Sequence, residues 1–530
     1  MTMPRDDDNV SVEDLQAENA ALRAEVERLS ARIAELEHHL RKGSQSSSLP
    51  PSLDPPSQKA EARKSRSERR AEQRSAGKEA RRRGKQPGAP GEHLARRLDP
   101  DEVVVHDVEC CSACGEDLRD LAPQRLDVRQ VFDVPDPKLI CTEHRVVHKR
   151  CTCGAVTTGR FPSEARAPTC YGPNVRAMAL YLLHAQHLPV KRTRETLTEM
   201  LGVGVSTGFL ASLAPEAAGA LSGFIEELKR RLRHRPLLHV DETSDQVGCD
   251  TWWLHVACDE LFTYLFTDKT RGKAAPDKAG VLPGFSGVMV HDRLSMYFSY
   301  TDATHALCGA HLIRDLASLA HRPSQRSAKK MRELLLEMND AAHGARQGGK
   351  STLGRRKLKA YLTSYDTLVA EGLAANPPLV SRERNSLERE SYNLALALRN
   401  RHSEATRFAC DLSVPFTNNE AERSLRMAKL HAKISGCFQS ADHARHFAVM
   451  RSHLASARKH GLGGLDVLGR LFLEDPWIPP AITWHPLPAQ AAYQLETSSI
   501  DGQHRHRRRD QPATGGHLNA PTRRRTYAAT

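Results

Sequence analysis

No stretch of this 530-residue chain is apolar over the roughly 18–20 residues that a bilayer-spanning helix needs. The first ten residues, MTMPRDDDNV, lack the basic-then-apolar order of a secretory signal. Both absences predict a soluble, cytoplasmic protein with no membrane partner. Apolar residues are also nearly missing between Lys59 and Lys85, where twelve Lys or Arg stand against four Glu. Such a segment cannot form a core. The twelve cysteines are unevenly placed, six of them between Cys110 and Cys153. In a long chain without an export signal this pattern speaks against a disulfide framework and for a metal site.

The chain is too long for one compact core, so several domains are expected. Its net charge is +13. Clustered Lys and Arg suit a nucleic-acid partner, because neutralising phosphates releases condensed counterions. The basic run reads equally well as a solvated linker.

Residues 10–41 carry a heptad repeat. Leu15, Leu22, Leu29 and Leu36 form one seam, and Val12, Asn19, Val26, Ile33 and Leu40 the other. Leu at one core position with β-branched residues and a single Asn at the other favours a parallel two-stranded coiled coil, hence a homodimer. Residues 42–98, rich in Ser, Pro, Gly and charge, form a basic linker.

Residues 99–165 hold the cysteine cluster among β-like runs such as VVVH, LDVRQVFDV and HRVVH, and predict a zinc-finger-like module. Cys111-x-x-Cys114-Gly and Cys151-x-Cys153-Gly are two turns able to aim four thiolates at one structural Zn2+. Cys110, Cys141, His144 and His148 are spare ligands. Residues 170–232 read as helical. RTRETLTEMLGVGVSTGFLASLA gives a helix, a Gly202–Gly204 turn and a second helix capped by Ser206. This is the layout of a DNA-binding helix-turn-helix, and equally of an ordinary helical hairpin.

From 236 the pattern changes to strands: LLHVDET, TWWLHVACDE, LFTYLFTD and GVMVHD. Asp241 and Asp292 each close one of these runs. Two carboxylates on neighbouring strands can share Mg2+, which prefers hard oxygen ligands. Two such ions can activate an attacking oxygen and stabilise a leaving one. A third carboxylate is expected from the helix begun by PFTNNEAERSLRM, where Pro415 and Asn418–Asn419 are start signals. Glu420 and Glu422 lie about 200° apart on the helical wheel, so only one of them can face the site.

The run from 241 to about 460 resembles the insertion-sequence-66 family of bacterial DDE transposases, through LHVDET, WWLHVAC, GFSGVMVHDRLSMYF, HALCGAHLIRDL, PFTNNEAERSLRM and ISGCF. The zipper, the linker, the CSACG and CTCG module and YGPNVRAMALYLL agree with it too. The resemblance implies that Asp241, Asp292 and Glu422 are catalytic and bind Mg2+, so Glu422 is chosen over Glu420. It implies a ribonuclease H-like domain over 236–475 with a helical insertion at about 310–415. His311 and Arg314 match a further family motif without a role. Thr417 stands where the family usually has Asp, a position read as the helix N-cap. The tail 486–530 departs from the family core and is expected to be disordered and basic.

Taken together, the expectation is a multidomain α+β transposase that cuts and joins DNA at element ends and target, with accessory proteins of the same element as further partners. A non-catalytic zinc-containing DNA-binding regulator and a nuclease that cleaves without joining share these features.

Overall fold

The computed structural model describes residues 19–26, 28–29, 94–134, 139–320, 325–378 and 387–479. The tail at 486–530 and most of the expected coiled coil and linker lie outside the described residues. Residues 19–26 and 28–29 are helical, and the heptad residues Leu22, Val26 and Leu29 are exposed.

Between 94 and 165 the strands are β1 (His148–Arg150) and β2 (Val156–Thr158), an antiparallel hairpin with His148 opposite Thr158. Among the described residues the strand-rich insert expected here is not formed. VVVH and LDVRQVFDV are irregular, with Val103, Val104, Val105, Val131 and Val134 exposed, and HRVVH enters β1 only at its last residue. Strand propensity expresses the fit of a side chain to a half-buried pleated surface. With nothing packed over these valines, the propensity has no surface to act on.

The helical region matches its expectation. Pro173 opens α1 (Pro173–Leu180), which runs into a π-helical turn at Tyr181–Ala185. Then come α2 (Val190–Leu201), α3 (Thr207–Ala220) and α4 (Ser222–Arg233). Gly202 ends α2 in the left-handed region at φ 63°, and Ser206 Oγ accepts a hydrogen bond from Phe209 N at 3.1 Å, capping α3. Among the described residues no single helix is long and apolar enough to cross a membrane. The bent pair α3–α4 has sufficient length and composition, but Leu210, Leu213, Phe224, Leu228 and Leu232 are buried against the rest of the protein.

One mixed sheet forms the centre, built from β3 (Leu237–Val247), β4 (Asp250–Cys258), β5 (Thr263–Asp268), β6 (Val288–His291) and β7 (Thr304–Leu307). The spatial order is β5-β4-β3-β6-β7. The first three strands are an antiparallel meander, and β6 and β7 add in parallel. A short helix, α5 (Ala274–Ala279), precedes β6.

After β7 the chain is helical: α6 (Gly309–Leu319), α7 (Arg326–Gln347), α8 (Arg355–Ala375), α9 (Leu387–Asn400) and α10 (His402–Cys410). These helices bury their own core, including Leu312, Met331, Leu335, Tyr365, Leu398 and Phe408. Among the described residues, helices therefore occupy most of the interval between β7 and Glu422. The chain then returns to the sheet with α11 (Asn419–Ser435) and α12 (Ala441–Lys459), followed by α13 (Gly464–Arg470).

Helices α11 and α12 cover one sheet face. Ala421, Leu425, Ala428, Phe447 and Ala448 pack on Val247, Leu254, Val256 and Leu265. Leu238, Val240, Ala257 and Tyr264 belong to a second core with α1 to α4. Each fully buried Leu or Phe here contributes roughly 1.5–3 kcal/mol from apolar burial. The outer edge of β5 is also covered: Ser452 Oγ and Ser456 Oγ of α12 accept hydrogen bonds from Leu265 N at 2.8 Å and Thr263 N at 3.0 Å. A helix thus supplies the partners that a sixth strand would supply, which blocks edge-to-edge pairing.

Candidate active site

Strands β3 and β6 pair in parallel with Leu237 beside Val288 and His239 beside Val290, a constant offset of 51 residues (288 − 237). β6 ends at His291. Carried two residues past the last pair, the same offset sets Asp292 beside Asp241 (292 − 241). Asp241 does not close its strand, contrary to the sequence reading. It is the fifth residue of β3, which continues to Val247 paired with β4 and ends in a single parallel bridge to Phe438. The sheet therefore opens on the β6 side of β3 at the level of Asp241, where β6 gives way to Asp292.

Asp241 Oδ1 accepts a hydrogen bond from Glu242 N at 2.9 Å, and Asp292 Oδ1 accepts one from Leu294 N at 2.9 Å. Between them in sequence order, Arg293 adopts a left-handed backbone at φ 84° and donates to Asp315 Oδ2 at 2.6 Å. A non-glycine residue in that region costs energy, and the ion pair and the Asp292 turn hold it there.

Carboxylate oxygens of Asp241, Glu242 and Asp292 lie within 4.8 Å of one another. Glu242 was not singled out from the sequence, because alternation along a strand sends it to the face opposite Asp241. It is buried, accepting from Arg271 Nε at 2.9 Å and Nη2 at 2.8 Å on one oxygen and from the Tyr297 hydroxyl at 2.7 Å on the other. Arg271 stacks over Trp253, 4.8 Å from the ring centre. Burial pushes the Asp241 carboxyl well above the usual carboxylate range, and the charges of Asp292, Glu242 and Glu422 push it further. Burial also raises Glu242, against the lowering effect of its bonds to Tyr297 and Arg271. This concentration of like charge is one that a bound cation relieves.

Glu422 lies on α11 and faces a neighbouring group. Its Oε1 is 3.5 Å from Arg314 Nη2 and 3.9 Å from His311 Nδ1, and Cys308, His311 and Glu422 form a second cluster of ligand atoms within 4.8 Å. The structure thus brings Asp241 and Asp292 together and groups Glu422 with Cys308 and His311, from where its charge adds to the upward push on Asp241. Glu420 points elsewhere, to Arg423 at 3.1 Å and Lys459 at 3.3 Å. The wheel argument that separated the two glutamates holds.

The N-cap of α11 is Asn418, not Thr417. Asn418 is fully buried and does not cap the helix with its side chain. Instead its Nδ2 donates to Val240 O at 2.8 Å and its Oδ1 lies 2.9 Å from His239 Nδ1, which ties the start of α11 to β3. That tie is tertiary, and local capping rules carry no signal for it.

The two cysteine turns share one construction. Cys111 N donates to Glu116 O at 2.8 Å and Gly115 N to Cys111 O at 2.9 Å; Cys151 N donates to Ala155 O at 2.8 Å and Gly154 N to Cys151 O at 2.9 Å. Both glycines sit at positive φ, 78° and 87°. Backbone N–H groups of Cys114 and Cys153 hold the Cys111 and Cys151 thiols below their ordinary value. Among the described residues the clusters of three or more ligand atoms do not include these cysteines, so the two pairs do not meet in a single four-thiolate group.

In the helix-turn-helix-like segment the exposed residues of α3 include Thr207, Gly208, Ala211 and Ser212, while the exposed cations Lys191, Arg192 and Arg194 are on α2.

Residues 168–446, more than half of the chain, match the family described as Transposase IS66 family. The chain belongs to the IS66 family of transposases. Residues 1–95 match a family of unknown function, DUF6444. None of the curated proteins matches the chain. Membership in the IS66 family makes the chain a transposase, a DNA-modifying enzyme whose partner is DNA. The matched span of this IS66 transposase runs from just before α1 to the first turns of α12, and so includes both ligand clusters.

Proposed function

We propose that this transposase cleaves the ends of its mobile element and joins them to target DNA in a Mg2+-dependent reaction carried by Asp241, Asp292 and Glu422. The observation that carries the reading is the β3–β6 register, which sets two carboxylates side by side where the sheet opens. Strand order supports a ribonuclease H-like domain over 236–475, since counted within the sheet it runs third, second, first, fourth, fifth, with the last two strands parallel.

The donor set fits the metal: hard carboxylate oxygens, crowded closely enough to hold a proton above their ordinary range. Asp241, Asp292 and Glu422 would hold the Mg2+. When bound, the metal would polarise the phosphate and activate the attacking oxygen. The chain's own contribution is positioning. Leu294 N–H and the Arg293 backbone fix Asp292, the Arg271–Glu242–Tyr297 clamp fixes the strand beside Asp241, and Asn418 fixes the helix that bears Glu422. Rigid placement of reacting groups supplies much of the rate in phosphoryl transfer.

Other parts serve DNA and assembly in this reading. Cys111, Cys114, Cys151 and Cys153 would hold a structural Zn2+ once the two pairs are brought together, a reading supported by two like-built turns whose N–H groups favour thiolates. The basic start of α2 contacts the phosphate backbone beside the α2–α3 hairpin. The heptad helix pairs two chains, with the exposed Leu22, Val26 and Leu29 as its seam. The enzyme acts on nucleoid DNA in the bacterial cytoplasm, with accessory proteins of the element as further partners.

The test is strand transfer in vitro with full-length protein, Mg2+ and labelled element ends, beside Asp292→Ala. Loss of one such ligand removes several kcal/mol of transition-state stabilisation, a rate loss of about 10²–10⁴-fold. Joined products from the wild type alone support the reading. Equal activity from both proteins overturns the carboxylate assignment, and end binding without cleavage by the wild type points to a DNA-binding regulator.

A further inference from the structure

We propose that Cys308, His311 and Glu422 form a second metal site, selective for one thiophilic divalent cation such as Zn2+. Cys308 immediately precedes α6 and His311 lies in its first turn, so the two side chains rise toward α11, where Glu422 meets them. Their ligand atoms, Sγ, a ring nitrogen and a carboxylate oxygen, all lie within 4.8 Å of one another.

Two of these atoms lack hydrogen bonds. His311 Nδ1 and Glu422 Oε1 are both buried and make none, although they stand only 3.9 Å apart. A buried polar atom left without a hydrogen bond costs about 1–3 kcal/mol, and although Glu422 Oε1 has the ion pair with Arg314 at 3.5 Å, the two facing atoms suit a ligand. At a tetrahedral angle, Zn–N and Zn–O bonds of about 2.0–2.2 Å set the two ligand atoms roughly 3.3–3.6 Å apart. An ion between the two atoms therefore needs shifts of only tenths of an ångström. The thiol is placed for the same role: Cys308 Sγ accepts a hydrogen bond from Asn418 N at 3.2 Å, the kind of N–H···S bond that steadies a metal-bound thiolate.

The donor set differs in kind from the neighbouring Asp241–Glu242–Asp292 group. Thiolate and imidazole suit Zn2+ and disfavour Mg2+, which takes oxygen ligands in near-octahedral geometry. Three protein ligands leave a fourth position for water. Binding releases the Cys308 proton to solvent, as thiol ligands require. Arg314, 3.5 Å from Glu422, balances the carboxylate when no ion is present.

One consequence rests on Glu422 being the third catalytic carboxylate. An ion held by Cys308 and His311 withdraws Glu422 from the Mg2+ site, so the thiophilic metal switches the enzyme off while Mg2+ runs it.

The test uses full-length protein, stripped of metal and titrated with Co2+, which reports thiolate ligation by sulfur-to-cobalt charge-transfer absorption. The knuckle cysteines are present in every sample, so differences report Cys308 alone. Cys308→Ser and His311→Gln should each bind one Co2+ fewer per chain than the wild type, and Asp292→Asn should bind as many. Circular dichroism identifies any variant that fails to fold, and the other is then read by itself. Unchanged binding in the folded variants overturns the proposal, as does loss of the ion in Asp292→Asn, which would put it at the aspartates. Separately, Zn2+ added to a Mg2+-driven strand-transfer reaction should inhibit the wild type, and Cys308→Ser should need about 10-fold more or above for the same effect. Equal inhibition of both overturns the switch. Failure of strand transfer itself overturns the catalytic reading and leaves the Co2+ result standing.

Discussion

Asp241 is held against its own electrostatics. Burial raises its carboxyl first, and three neighbouring carboxylates add to the shift. Near the ordinary value of 3.8 the folded and unfolded chains begin to differ. As pH rises from there, the unfolded chain gives up its proton while the folded one retains it. The folded state then binds more protons, so this group's contribution to stability falls with rising pH up to the raised value. The metal-free Asp241→Asn protein should therefore have a higher Tm than the wild type at neutral pH. The Tm gap between the two should widen as pH rises through that window and narrow when Mg2+ is added. Calorimetry over a pH series reads both trends, and a constant gap would mean that Asp241 is not under this strain. That Asp241 and Asp292 would meet was legible in the sequence, since each stands in a strand run, whereas Glu422 was chosen over Glu420 by the resemblance. Glu242 was not legible, because its place in the site depends on Arg271 and Tyr297, 29 and 55 residues away in sequence.

Among the elements, the strand runs and the α2–α3 hairpin were readable, since alternation, a Gly stop and a Ser cap are local signals. What escaped was set by partners. β3 runs past Asp241 because β4 pairs with it up to Val247, and the runs between 99 and 134 stay irregular because nothing covers their valines. A junction of this kind also governs α6. Gly309 N donates to Phe416 O at 2.7 Å, and a Cβ at Gly309 would fall inside the van der Waals surface of the Phe416 ring. Gly309→Ala should destabilise the fold by about 1–3 kcal/mol, as overpacking does, and loosen the start of α6 against the residues leading into α11. Urea unfolding of the variant measures this, and a change within error of zero would mean that Phe416 moves aside freely. The serine pair of α12 makes a related point: the two hydroxyls four apart on a helix match amides two apart on β5, a fit that no single segment predicts.

At the scale of the molecule, the N-terminal heptads and the central sheet answer different questions. The heptad seam presents Leu22 and Leu29 outward, at 57% and 49% exposure, which suits pairing with another chain. Leu22→Glu with Leu29→Glu should convert dimers to monomers in analytical ultracentrifugation while leaving the Tm of the catalytic region unchanged. A dimer that survives both substitutions places the contact elsewhere. The pairing of β3 with β6 has a further consequence, for which length changes the chain tolerates. Between β5 and β6 the path is exposed at Lys269, Thr270, Gly272 and Lys273 before the buried residues of α5, and extra residues there alter the count of 51 without altering which residues face each other. A slip of one residue inside β6 does the reverse, sending every side chain of the strand to the opposite face. Homologous chains can therefore be expected to differ freely in the number of residues separating the two aspartates, while the ladder that joins VMVH to LLH keeps its phase.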